Sequence, residues 1–238
     1  MKKRVRQMKL KKQININLNK LSPNNSKKIF QKILELSIKK KDIFDYNNFV
    51  DTLFDKAVMQ PIYCPLYVKL LMVLLNESEP EKNVENDIEE DIEVRKDSLS
   101  LLVRDKCDLF MNMITEFKDI DDAILNPDDY DDFCEKNKEK VYKKGFSQFI
   151  GELYKSRFVD SNFIKKYINA LCDNIMNSLN ENNTNVENAS ICLCQLVQTT
   201  INRRLFRNNE SFKRIREIKD HSNIPKKLKF KFMDLLGD

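Results

Sequence analysis

An all-α fold of consecutive helical hairpins is what this sequence predicts, and three observations predict it. Only three glycines (Gly145, Gly151, Gly237) and six prolines occur in 238 residues, too few for the many tight turns of a β-rich fold. Apolar residues recur at spacings of three and four along most of the chain, the period of an amphipathic helix. Charged residues make up 33% and hydrophobic residues 41%, the balance of an ordinary soluble helical protein large enough to bury a core.

Taken in order, residues 1–17 hold seven Lys or Arg and no acid, and read as a basic N-terminal tail. Ser22-Pro23 reads as a helix start, the hydroxyl capping free N–H groups and proline suiting the first turn. Ile29, Phe30, Ile33, Leu34 and Leu36 follow at helical spacing. A second stripe runs through Phe49, Val50, Leu53, Phe54 and Ala57 and is stopped by Pro61; a third opens at Pro65 and continues through Tyr67, Leu70, Leu71, Leu74 and Leu75. Residues 76–97 are strongly acidic and read as a solvated loop or a disordered insert, because like charges at that density repel one another.

A helix is predicted over residues 98–117, then a second acidic loop over 119–132 around Pro127. Phe146, Phe149, Ile150, Leu153 and Tyr154 mark the clearest helix, and Asp160-Ser161 starts another that carries Ile164, Ile168, Leu171, Ile175 and Leu179. Ala189, Leu193, Leu196, Val197 and Thr200 mark a further helix, and Phe212, Ile215 and Ile218 a short one. In the last segment Leu228, Phe230 and Phe232 alternate like a strand, whereas Leu228, Phe232, Leu235 and Leu236 fit a helix; helical neighbours favour helix. Hairpin units of this length stacked in a row are what HEAT repeats look like, and a single irregular helical bundle would have the same periodicity.

Several function classes are disfavoured. No G-x-G-x-x-G or Walker pattern is present to cradle a phosphate. The six cysteines (Cys64, Cys107, Cys134, Cys172, Cys192, Cys194) form no C-x-x-C pair and His221 is the single histidine, so neither a zinc site nor any cofactor is expected. Cys192 and Cys194, two residues apart on a helix, point about 200° apart and cannot act together with His221 as one catalytic site. No enzyme activity is expected. The basic N-terminus lacks the apolar run of a signal peptide, and residues 66–75 are too short to span a bilayer; reduced thiols in the cytosol are the simplest expectation.

Three stretches carry a resemblance. Leu18-Asn19-Lys20-Leu21-Ser22-Pro23 resembles the L-N-K-L-T-P opening of the middle domain of the translation initiation factor 4G family. Leu53-Phe54-Asp55-Lys56-Ala57, with Gln60-Pro61, Tyr63 and Tyr67, is similar to that domain's F-E-K-A-x-x-E-P-x-[FY]-x-x-x-[YM] helix pair. Phe149-Ile150-Gly151-Glu152-Leu153-Tyr154-Lys155 resembles its F-I-G-E-L-[FY]-K. Asp55 and Gln60 stand where the family usually has glutamate. The matches keep their order from residue 18 to about 236, so that residues 18–238 read as the HEAT-repeat domain, and related scaffolds act in splicing and mRNA decay. The resemblance implies a crescent of about five helix pairs that grips a DEAD-box RNA helicase of the initiation factor 4A type and stimulates its ATPase. It does not extend to the cap-binding protein, since no Y-x-x-x-x-L-Φ stretch falls in an exposed segment.

The residues that this implies at the helicase are Asn19 and Lys20, with Lys56 and Tyr63 extending the surface. Glu152 reads either as a further contact or as a structural hydrogen-bond partner. Gly151 is expected to permit close helix approach. Charge is segregated: residues 76–135 hold six bases against twenty-one acids, and residues 198–238 hold eleven bases against five acids. Two basic clusters, Lys2, Lys3, Arg4, Arg6 and Lys9 at one end and Arg203, Arg204, Arg207, Lys213, Arg214 and Arg216 at the other, read either as RNA-phosphate contacts or as solvated faces. No platform of interleaved aromatics for stacking bases stands out in the sequence.

Overall fold

Among the described residues, periodicity at three and four is realised as helix. The computed structural model describes residues 2–76, 86–115, 130–181, 186–200 and 210–237, without the side chains at 86–96, 113–115, 130–133 and 136. Among the described residues there are ten α-helices and no strand: α1 Lys2–Asn19, α2 Ser26–Lys39, α3 Tyr46–Met59, α4 Cys64–Asn76, α5 Asn86–Thr115, α6 Tyr130–Lys155, α7 Ser161–Asn180, α8 Val186–Thr200, α9 Glu210–Lys219 and α10 Lys226–Leu236. A short 3-10 turn, Lys41–Ile43, precedes α3. The chain divides into two compact units, Met1–Asp108 and Leu109–Asp238.

Unit 1 is built from α1 to α4 and the first part of α5. Phe49, Leu53, Ala57, Val68, Leu70 and Leu71 are almost fully buried where α3 and α4 pack together, and Ile33 of α2 joins them in the core. Asp45 caps α3 by accepting the N–H of Asn48 at 3.0 Å. Lys106 of α5 reaches Asp51 of α3 at 2.6 Å.

The basic N-terminal segment is not a tail. Residues 2–19 form α1, with Leu10, Ile14 and Leu18 buried one turn apart against α2 and α3. Lysine and arginine are good helix formers, and three apolar residues at i, i+4 and i+8 suffice to seat the helix, so charge alone obscures it. A second correction concerns the acidic segment at 76–97. Residues 86–97 are the first turns of α5. Acidic residues are favoured in the first turns of a helix and glutamate is a good helix former; residues 77–85 lie outside the described residues. The second acidic loop also lies outside them up to residue 129, and 130–132 open α6. A third correction is the start of α2: Ser22-Pro23 belongs to a turn, and the helix begins at Ser26.

Unit 2 centres on α6, α7 and α8. Phe146, Phe149, Ile150 and Leu153 of α6, Leu171 and Ile175 of α7 and Leu193 and Leu196 of α8 are all buried, and the three helices pack on one another. Phe146 meets Phe149 and Tyr167 with ring centroids 6.4 and 6.3 Å apart, and the Tyr167 hydroxyl lies 3.2 Å from that of Ser147. Gly151 sits where α6 and α8 come closest: a Cβ there would fall 2.7 Å from both Cβ and Cγ2 of Thr199. Asp160 caps α7, accepting the N–H of Phe163 at 2.8 Å, as its place before Ser161 predicts. α9 and α10 pack on each other and on α7 and α8. The last segment is helical, with Leu228, Phe232, Leu235 and Leu236 buried.

Candidate partner-binding surface

The turn that carries Asn19 and Lys20 is fixed by its own polar side chains. Asn25 donates from Nδ2 to the carbonyl of Lys20 at 2.7 Å and accepts the N–H of Ser22 on Oδ1 at 2.8 Å. Leu18 and Leu21 anchor the turn from inside, at 0% and 5% exposure. Asn19 and Lys20 between them are exposed.

This turn meets the α3–α4 hairpin. The Lys56 ammonium donates to Asn19 Oδ1 at 2.5 Å across 37 residues of sequence. Tyr67 donates its hydroxyl to Gln60 Oε1 at 2.8 Å and also lies 3.5 Å from the carbonyl of Leu18. Burial and the neighbouring Tyr63 push the Tyr67 phenol up to about 12, so it stays a neutral donor that ties the two segments together. Asn19, Lys20 and Lys56 thus come together, with Tyr63 close by through Tyr67. Lys56 holds Asn19 in place, and Tyr63 stands exposed in the turn after α3.

Beside Tyr63 are two residues that the sequence does not single out, Met59 and Ile62, exposed at 45% and 87%. An apolar residue at the end of a stripe, next to Pro61 in a turn, is the available signal. An isoleucine this exposed, in the same turn region as an exposed methionine and tyrosine, adds apolar surface of the kind that protein interfaces bury.

Glu152 belongs to unit 2 and is of another kind. It is 8% exposed and its carboxylate accepts from Lys155 at 2.9 Å, which fits the structural alternative. No metal-binding group of three His, Cys, Asp or Glu occurs among the described residues, and no described helix is long and apolar enough to cross a membrane. Burial raises the thiols of Cys107 and Cys172 to about 12 and that of Cys194 to about 11, which removes them from nucleophilic chemistry near neutral pH.

The two basic clusters differ. Lys2, Lys3, Arg4, Arg6 and Lys9, with Lys11 and Lys12, are all exposed on α1. On α9, Arg214 is half-buried: its guanidinium pairs with Asp173 and donates to the carbonyl of Asn169 at 3.4 Å. Lys213 lies 3.5 Å from Glu210, and Arg216 is exposed. Arg203, Arg204 and Arg207 lie outside the described residues. Comparison with models of known protein families gives no match, and comparison with curated proteins gives none either.

Proposed function

We propose that this chain is a non-catalytic HEAT-type scaffold of the cytoplasm that docks a DEAD-box RNA helicase of the initiation factor 4A type and stimulates its ATPase. The observation that carries this reading is the bond between Lys56 and Asn19, which joins two separate motif stretches and brings Lys20 and Tyr63 into the same neighbourhood of unit 1. Successive helices that pack on one another, α3 with α4 and α7 with α8, support the hairpin arrangement. On this reading Asn19 and Lys20 make the polar contacts, Ile62, Tyr63 and Met59 bury apolar surface, and Lys56 orients Asn19.

The test is charge reversal at the exposed edge. Asn19→Asp combined with Lys20→Glu is expected to abolish co-purification with the helicase while leaving the thermal transition nearly unchanged, since exposed substitutions usually shift stability by no more than about 0.5 kcal/mol. A double variant that binds at wild-type affinity overturns the proposal. Helicase that binds without any rise in RNA-dependent ATP turnover supports instead a regulator of mRNA decay, splicing or translation that shares the fold and does not activate the enzyme.

A second reading, RNA contact, is favoured by the full exposure of the α1 bases. Replacing Lys2, Lys3, Arg4, Arg6 and Lys9 by glutamine preserves the buried Leu10 and Ile14. It is expected to flatten the salt dependence of single-stranded RNA binding, by roughly 0.7 in log–log slope for each phosphate no longer neutralised. An unchanged slope removes α1 from the RNA surface.

A further inference from the structure

The helix α10, of sequence KKLKFKFMDLL, spends Leu228, Phe232, Leu235 and Leu236 on the core of unit 2. What remains on the opposite side is Lys226, Lys229, Phe230, Met233 and Asp234, the first four at the i, i+3, i+4 and i+7 spacing that places residues on one helix face. Phe232 is 0% exposed, whereas Phe230, two residues earlier, is 63% exposed. Lys226 and Lys229 are exposed beside it. Lys227 is engaged elsewhere, bound to Glu187 of α8 at 2.6 Å, and the half-buried Lys231 adds positive potential near that pair. Asp234 is the one exposed acid of the helix.

Folding explains none of this face. Lysines in the first turn oppose the helix macrodipole, and α10 has no acid there to offset them. A phenyl ring left in water gains nothing from burial. Both features are explained by a ligand that is anionic and presents flat apolar faces.

We propose that the outward face of α10 is a stacking site for single-stranded nucleic acid, with a base on the Phe230 ring and the adjoining phosphates on Lys226 and Lys229. An acidic protein segment would satisfy the lysines but supplies no regular series of planar rings; a single strand supplies both along its length. Phenylalanine has no hydrogen-bonding group, so the site tolerates any base. The proposal does not depend on helicase docking, which concerns unit 1.

The chain contains no tryptophan, so Phe230→Trp, excited selectively over the tyrosines, places a sole indole reporter at the site. Titration with an adenine-rich RNA oligonucleotide is expected to quench the indole, because stacking brings a base onto it, while inorganic polyphosphate leaves the emission unchanged. The reporter is local, so RNA held elsewhere on the protein does not contribute. In a background with the α1 bases neutralised, Phe230→Ala is expected to weaken the same oligonucleotide about tenfold, the scale of one stacked base. Lys226→Gln with Lys229→Gln should flatten the log–log salt slope by about 1.4, the share of two phosphates. Indole emission indifferent to RNA overturns the proposal. Emission that changes with protein concentration alone also overturns it, since the face is then covered by protein.

Discussion

The Leu18–Pro23 turn with its α3 neighbour and the Phe149–Lys155 stretch of α6 carry the same family resemblance, but the fold uses them in opposite ways. In the first, the apolar residues Leu18 and Leu21 are anchors and the polar residues Asn19 and Lys20 are displayed. In the second, Phe149, Ile150 and Leu153 are all at or below 1% exposure, Gly151 lets α8 approach, and even Glu152 is tied down by Lys155. A stretch of sequence can therefore mark a displayed edge or a packing seam, and only burial tells which. The two regions should separate cleanly by experiment: the α6 stretch should govern stability and, under the proposed function, the turn should govern binding.

The largest effect expected is at Phe149. Truncation to alanine empties a fully buried site and should cost about 3–5 kcal/mol in chemical denaturation. A loss below about 1 kcal/mol would mean that the α6 seam is not the core of unit 2. Gly151→Ala comes next. Its Cβ would meet Thr199 Cβ at 2.7 Å, and Thr199 cannot simply rotate away, because its hydroxyl donates to the Gln195 carbonyl at 2.8 Å. Overpacking of this kind costs about 1–3 kcal/mol. Combining it with Thr199→Gly should recover part of the packing loss, so the two changes should be non-additive in a double-mutant cycle. Additive losses would place the strain elsewhere.

Much of this architecture is legible in the sequence. The stripes of α2, α3, α4, α7 and α8 follow their apolar periodicity, and the Asp160 cap is visible as an acid before Ser161. What escapes has physical reasons. In α1 three buried apolar residues are outnumbered by seven exposed cations, so charge hides a helix that its spacing encodes. In α5 an acidic run reads as loop although glutamate forms helices well. The partnering of Arg214 with Asp173, 41 residues away in sequence, and the exposure of Ile62 and Phe230 depend on which helices become neighbours. Spacing within one helix does not carry that information.

A smaller effect, of the opposite sign, lies just past the α6 stretch. Arg157 follows the end of that helix with φ +61°. Phe158 N–H bonds to the Leu153 carbonyl at 3.0 Å and Arg157 N–H to that of Tyr154 at 2.9 Å, the paired bonds of a Schellman cap, where glycine is the usual occupant. Arg157→Gly should stabilise unit 2 by about 0.5–1 kcal/mol by relieving the left-handed conformation. A destabilised variant would show that the arginine side chain holds the turn.

The smallest effect compares two cross-helix bonds at the surface, one in each unit. Lys56 donates to a neutral amide, Asn19; Lys227 donates to a carboxylate, Glu187, at 2.6 Å. Only the second can respond to acid through its acceptor. The hydrogen bond and charge of Lys227 hold the Glu187 carboxyl below its ordinary value, against partial desolvation. A depressed folded value means that the unfolded state takes up the proton first as pH falls. The stabilisation is therefore complete above the ordinary glutamate range and disappears as pH drops through the lower folded value. Both side chains are well exposed, so the whole effect should be within about 1 kcal/mol. Lys227→Gln should lower stability near neutral pH and converge with the wild type in acid. Lys56→Gln should produce a difference that stays constant over the same range, because the amide of Asn19 does not titrate. Stability profiles of the two variants against the wild type, taken by denaturant titration from neutral to acidic pH, decide the matter: parallel curves for both would mean that the carboxylate charge of Glu187 adds nothing to the Lys227 bond in solution.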